Sequence, residues 1–245
     1  MARKAVTATL VPLTLAALVL GTAPAHSQLP HQSPIDITPR AIEVKTNLPP
    51  LRVFYGRSDL DLEYIRKDAA SPTGCTTRDH EETEEAIVKP GAAYVTLAGT
   101  RYDLIQFHFH TPSEHRFNGR STPLEVHFVH RSAAGKLLVI GVPLRAGAPS
   151  TLDTVLANLT PECGEPVHIP ELNLNSLLPV NRAALRYDGS LTTAPFSEGV
   201  QWFVMQERTV SADTIRRFQA LFSEGNARAT QPLNDRKVQL GLPGI

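Results

Sequence analysis

Two short segments constrain this chain more than any others. Gln106-Phe-His-Phe-His110 and Leu124-Glu-Val-His-Phe-Val-His130 alternate apolar and polar residues with a period of two, the signature of a strand with two unlike faces. In such a strand His108 and His110 point to one side while Phe107 and Phe109 point to the other. In the second segment Glu125 and His127 share one face, and Val126 and Phe128 take the opposite one. Pairing of the two strands brings His108, His110 and His127 together.

The same alternation in Tyr94–Leu97 and Leu137–Val142, with Gly- or Pro-bearing turns between segments, predicts further strands. Helical periodicity is weaker, over Leu152–Leu159 behind Ser150 and over Ser211–Phe222, where Ser211 is placed to cap the first turn and Gly225 follows the end. The expected fold is mainly β (α+β): a central, largely antiparallel twisted sheet with short peripheral helices. No repeat or low-complexity linker divides residues 26–245, so one domain is expected there. The acidic stretch Asp79-His-Glu-Glu-Thr-Glu-Glu85 reads as a solvated loop or sheet edge.

Residues 1–25 stand apart. Arg3 and Lys4 precede an apolar stretch from Ala5 to Leu20, which ends in Gly21-Thr-Ala-Pro-Ala25. This is the layout of a secretory signal peptide with cleavage after Ala25. The apolar run is too short and too interrupted by Thr and Pro for a membrane span, which needs about 20 residues. The expected location is secreted or periplasmic, with no membrane association after cleavage. In an oxidising compartment Cys75 and Cys163 are expected to form a disulfide, closing a loop of about 90 residues worth roughly 4–5 kcal/mol on the chain-entropy account.

The whole chain carries 24 basic and 24 acidic residues, so it lacks the positive footprint that nucleic-acid binding requires. A small-molecule substrate is the expected partner, for a monomer or homodimer. Three neutral imidazoles with a fourth position left open form a catalytic zinc site. Each zinc-bound ring needs a partner for its other nitrogen. Gln106 stands two residues before His108 on the same face, and Glu125 stands likewise before His127. A glutamate inside an apolar strand is costly unless hydrogen-bonded, which assigns Glu125 a partner.

QSPIDI at Gln32 to Ile37, QFHFHTPSEH at Gln106 to His115, LEVHFVH at Leu124 to His130, YDGSLTTAPFSEGVQWFV at Tyr187 to Val204 and NARATQPLNDRKV at Asn226 to Val238 together resemble the α-class carbonic anhydrases. The resemblance implies zinc-dependent reversible hydration of carbon dioxide to bicarbonate and a proton, by attack of hydroxide held on zinc. It places zinc on His108, His110 and His127, oriented by Gln106 and Glu125. It assigns Thr192 and Glu114 to orienting the hydroxide, Thr192 and Thr193 to the bicarbonate position, and His115, Tyr187 and Asn226 to supporting the site. Val129, Val139, Leu191, Val200 and Trp202 would form the apolar wall facing carbon dioxide.

The chain departs from the family pattern in several places. The histidine that shuttles protons in many members has no counterpart in place; counting back from Pro90-Gly91 puts Glu82 there, and His80, two residues earlier, is the expected shuttle. The segment ahead of Gln32 is short and lacks the usual tryptophans. The family's usual disulfide does not join the positions of Cys75 and Cys163. Ala194 replaces the first of two prolines, and Pro195 is expected to follow a cis peptide. Two other readings remain: a non-catalytic binding protein on the same scaffold, and a zinc hydrolase acting chiefly on esters.

Overall fold

A computed structural model of the chain describes residues 30–66 and 81–241. Among the described residues, the ten strands on the main path of the large sheet run in chain order as β1 (Ile42–Lys45), β2 (Arg57–Ile65), β3 (Thr83–Val88), β4 (Thr100–His110), β5 (Leu124–Ser132), β6 (Leu137–Ala146), β7 (Val167–Asn173), β8 (Ala184–Ser190), β9 (Glu198–Met205) and β10 (Val238–Gly241). They pair in the order β7-β2-β3-β4-β5-β6-β9-β8-β10-β1, with three short strands attached off this path. Most neighbours are antiparallel, but β6 runs parallel to β9 and β10 parallel to β1, so the sheet is mixed. Helices α1 (Thr151–Leu156) and α2 (Ala212–Leu221) lie at the periphery.

Helix α2 starts behind Ser211, its expected cap, whereas α1 starts one residue before the expected Leu152 and ends at Leu156 instead of Leu159. Ser150 accepts from the Leu152 amide and Asp153 accepts from the Ser150 amide, a reciprocal capping box. Ser211 accepts from the Thr214 amide at the head of α2. No helix among the described residues is long and apolar enough to cross a membrane.

The alternation in β4 and β5 divides the molecule into two sides. Phe107, Phe109, Val126 and Phe128 are all fully buried in one large apolar cluster with Phe218 of α2. Val129, Val139, Val200, Trp202 and Tyr187 form a second cluster on the histidine side, with Leu191 packed against it. The larger cluster makes the sheet a rigid floor, and the histidines rise from that floor.

Two expectations need correction. The acidic stretch is not a solvated edge from residue 83 onward: β3 is an interior strand between β2 and β4, and Glu82 and Glu84 are fully buried. Distant hydroxyls and an amide make this tolerable. Tyr64 donates to Glu82 at 2.8 Å, and the Thr160 amide and hydroxyl both donate to Glu84. The turn formers in Tyr187-Asp-Gly-Ser-Leu-Thr-Thr-Ala-Pro195 lead the sequence to read as a turn-rich loop, but residues 187–190 belong to β8, whose register shifts against β9 between Gly189 and Ser190.

Burial pushes the Glu84 carboxyl up to about 7, against the pull of the Thr160 hydrogen bonds. A carboxyl raised in the folded state stabilises fully below its unfolded value, near 4.5, and that contribution is lost as pH rises through 7. Glu84→Gln keeps an acceptor for Thr160 and never ionises. It is expected to raise unfolding free energy at pH 8 by about 1–3 kcal/mol, with no gain at pH 4.5. Urea unfolding at the two pH values tests this; a variant less stable than the parent at pH 8 contradicts it.

Candidate metal centre

His108 on β4 lies directly opposite His127 on β5, and His110 follows two residues along the same face. One nitrogen from each ring lies within 4.8 Å of the others. Ring centroids are 5.0 Å apart for His108 and His110, 5.3 Å for His108 and His127, and 4.6 Å for His110 and His127.

The remaining nitrogens are held from behind. His108 Nδ1 donates to Gln106 Oε1 at 2.9 Å, His110 Nδ1 to the Asn226 carbonyl at 3.1 Å, and His127 Nε2 to Glu125 Oε1 at 3.0 Å. These oxygens only accept, so each bond puts the ring hydrogen on the engaged nitrogen and leaves the inward nitrogen a lone pair. The inward atoms are Nε2 of His108 and His110 and Nδ1 of His127.

The residues fit a metal. His110 Nε2 is buried and has no hydrogen-bond partner, a deficit of about 1–3 kcal/mol for a buried acceptor. Burial pushes the His110 ring down to about 4 and lowers His127 as well, so both are neutral at pH 7, as ligation requires. Three nitrogen donors with an open fourth position suit zinc.

Glu125 anchors a deeper network. Its Oε1 also meets His115 Nδ1 at 2.7 Å, and its Oε2 accepts from the His115 amide at 2.9 Å. His115 Nε2 meets the Tyr187 hydroxyl at 2.6 Å, and Tyr187 donates to Ser33 Oγ at 2.9 Å. Burial opposes charge on Glu125, but the His115 and His127 rings outweigh it and hold this carboxyl well below the usual range. Gly141 makes room: a Cβ there would stand 2.8 Å from Glu125 Oε1. His115, Glu125 and His127 also gather three metal-type ligands, but their atoms are committed to one another.

On the open side, Glu114, Thr192, Thr193 and Asn226 line a cavity of about 120 Å³ together with Glu81, Phe196 and Arg228. Burial pushes the Glu114 carboxyl up to about 7, while His127, the Arg228 amide and the Thr192 hydroxyl pull the other way. The Arg228 amide donates to Glu114 Oε1 at 2.9 Å, and its guanidinium lies 3.8 Å from the centre of the Phe196 ring. Asn226 donates to the Glu82 and Phe109 carbonyls and accepts from the Thr111 amide. Trp202 packs beneath the site, 4.9 Å from the His127 ring, and donates to the Ser190 carbonyl.

Ala194–Pro195 is a cis peptide, as expected. Glu82 does not line the cavity: it is fully buried just ahead of β3, hydrogen-bonded to Tyr64. Glu81 takes the rim position, with both carboxylate oxygens 3.1 Å from the Ala194 amide. His80 and Cys75 lie outside the described residues. The roles of Ser33, Glu81 and Arg228 escaped the sequence reading, although Ser33 and Arg228 sit within the motifs QSPIDI and NARATQP.

Comparison with known proteins agrees with this geometry. The profile of the eukaryotic-type carbonic anhydrases matches residues 22–241. A carbonic anhydrase of Klebsiella pneumoniae is 35% identical over 212 residues, covering 85% of this chain and 79% of that protein. One from Nostoc sp. is 39% identical over 171 residues, covering 68% of this chain and 64% of its own length. The α-carbonic anhydrase of Thermovibrio ammonificans, solved with the inhibitor sulfanilamide, superposes with a TM-score of 0.73 at 36% identity, covering 85% of this chain and 86% of that one. With profile, sequence relatives and fold in agreement, the chain belongs to the α-class carbonic anhydrases, a family of enzymes.

Proposed function

We propose that this chain catalyses the zinc-dependent, reversible hydration of carbon dioxide to bicarbonate and a proton, with zinc held by His108, His110 and His127. The observation that carries the proposal is the buried, unpartnered His110 Nε2 beside two further imidazoles whose outer nitrogens are pinned. When bound at such an open site, zinc lowers the pKa of a water to about 7 and so supplies hydroxide near neutrality.

The chain's own groups aim that chemistry. Gln106, the Asn226 carbonyl and Glu125 fix which nitrogen of each ring faces inward. Thr192 lines the cavity with Glu114; by donating to that carboxylate it would turn the threonine oxygen toward the reacting centre as an acceptor and orient the nucleophile. The Thr192 amide and the Thr193 side chain border the bicarbonate position. Val129, Val139, Leu191, Val200 and Trp202 offer carbon dioxide an apolar wall, consistent with their shared cluster. No step needs strong activation of the substrate.

The released proton must reach buffer, and a group titrating near neutrality at the rim serves best. We assign the shuttle to His80 on sequence grounds, as the histidine two positions before the place where the family pattern carries its shuttle. Stopped-flow carbon dioxide hydration over a buffer series tests both levels. The expected rate saturates at low buffer in the parent and becomes strongly buffer-dependent in His80→Ala. Absence of hydration in the zinc-loaded protein contradicts the function; an unchanged buffer profile in the variant contradicts the shuttle.

We further infer export, from the basic, apolar and small-residue order of residues 1–25, and a Cys75–Cys163 disulfide. No cysteine among the described residues is free, which supports the pairing. Intact mass of the exported protein tests both, with His26 as the expected first residue and a gain of two hydrogens on reduction.

A further inference from the structure

Beside α1, away from the metal centre, Arg182 and Arg208 line a cleft of about 460 Å³ together with Ser150, Thr151, Asn175 and Ser176. Both guanidiniums are half-buried, and each is pinned at one end. Arg208 Nη1 donates to the carbonyls of Ser176 at 2.7 Å and Leu178 at 2.6 Å; Arg182 Nη2 donates to Asn175 Oδ1 at 2.7 Å. Arg182 Nη1 is buried with no hydrogen-bond partner.

The charges are as poorly matched as the donors. Burial pushes both guanidiniums below the usual arginine range, and Arg208 is close enough to Arg182 to lower it further. Neighbouring carboxylates turn elsewhere. Glu207, next to Arg208, pairs with Arg145 at 2.5 Å. Asp153, three residues on from Ser150, accepts from Ser150, Ser211 and Thr214. Neither Arg182 nor Arg208 forms an ion pair among the described residues. Two like charges held together, half out of water, with a buried donor unsatisfied, are costly unless an anion completes them.

We propose that this cleft is a binding site for a small oxyanion, taken up between the guanidiniums of Arg182 and Arg208. Arginine presents paired N–H donors that match carboxylate-like and phosphate oxygens, and charge-assisted bonds of this kind are the strong ones. Phosphate and bicarbonate share the required chemistry, and the test separates them.

The test is thermal unfolding of the zinc-loaded mature protein in sodium phosphate or in sodium bicarbonate at pH 8, with ionic strength held constant by sodium chloride. For affinity on the order of millimolar, 20 mM of the preferred anion is expected to raise Tm by about 3–6 °C. Arg182→Gln should lose most of that rise. Arg208→Lys, which keeps a donor for the Ser176 and Leu178 carbonyls, should weaken it. Thr192→Ala, which alters the proposed catalytic cavity, should leave it intact. A larger rise with bicarbonate identifies the reaction product as ligand, and a larger rise with phosphate identifies a phosphate-type ligand. An equal rise in the parent and Arg182→Gln, or no rise with either anion, overturns the site; if Arg208→Lys does not fold, the Arg182→Gln comparison decides.

Discussion

Replacing His127 with alanine is expected to abolish stoichiometric zinc and, with it, carbon dioxide hydration. His127 supplies one of three converging nitrogens and carries Glu125 behind it. Loss of a partner behind a ligand alone typically weakens metal binding 10–100-fold; losing the ligand should cost at least about a thousandfold. Glu125 is then left fully buried with one fewer donor, so the variant should also unfold earlier. Metal analysis after dialysis and stopped-flow hydration are the readouts. Retention of one tightly bound zinc by His127→Ala would move the metal elsewhere.

The second large effect concerns orientation without any change in metal content. Thr192 is almost fully buried, lines the cavity with Glu114 and bears on its carboxylate. Thr192→Ala removes the hydroxyl proposed to read Glu114 and orient the nucleophile, so kcat/KM for hydration should fall on the order of a hundredfold, the scale of a misplaced reacting group. Zinc content should stay at one per chain. Thr192→Ser restores the hydroxyl and should recover most of the rate. A Thr192→Ala protein as fast as the parent would remove Thr192 from the reaction.

The three-histidine cluster was legible because it rests on a period of two. Once β4 and β5 pair, the alternation of Phe107, His108, Phe109 and His110 against Val126, His127 and Phe128 leaves one arrangement with aromatics in the core and imidazoles together. The cap of α2 was legible for a similar reason, since Ser211 acts within three residues of itself. Long-range compensation was not legible. Glu82 and Glu84 look like solvated charges until Tyr64, 18 positions away, and Thr160, 76 positions away, satisfy them. Arg228 acquires its role only by meeting Glu114 across 114 positions. The end of β8 reads as a loop because Asp188, Gly189 and Ser190 are all turn formers. Gly189 is needed there for contact instead: a Cβ would stand 2.1 Å from Ser33 Oγ and 2.9 Å from Trp202.

The most direct test of a three-histidine zinc site driving hydration is a titration. Protein stripped of metal by chelation and dialysed is titrated with zinc, while initial carbon dioxide hydration is followed by stopped-flow at pH 8. The expected rate starts at the uncatalysed level, rises linearly, and breaks to a plateau at one zinc per chain. A stripped protein that hydrates carbon dioxide at full rate, or one that binds a single zinc and stays inactive, would contradict the account.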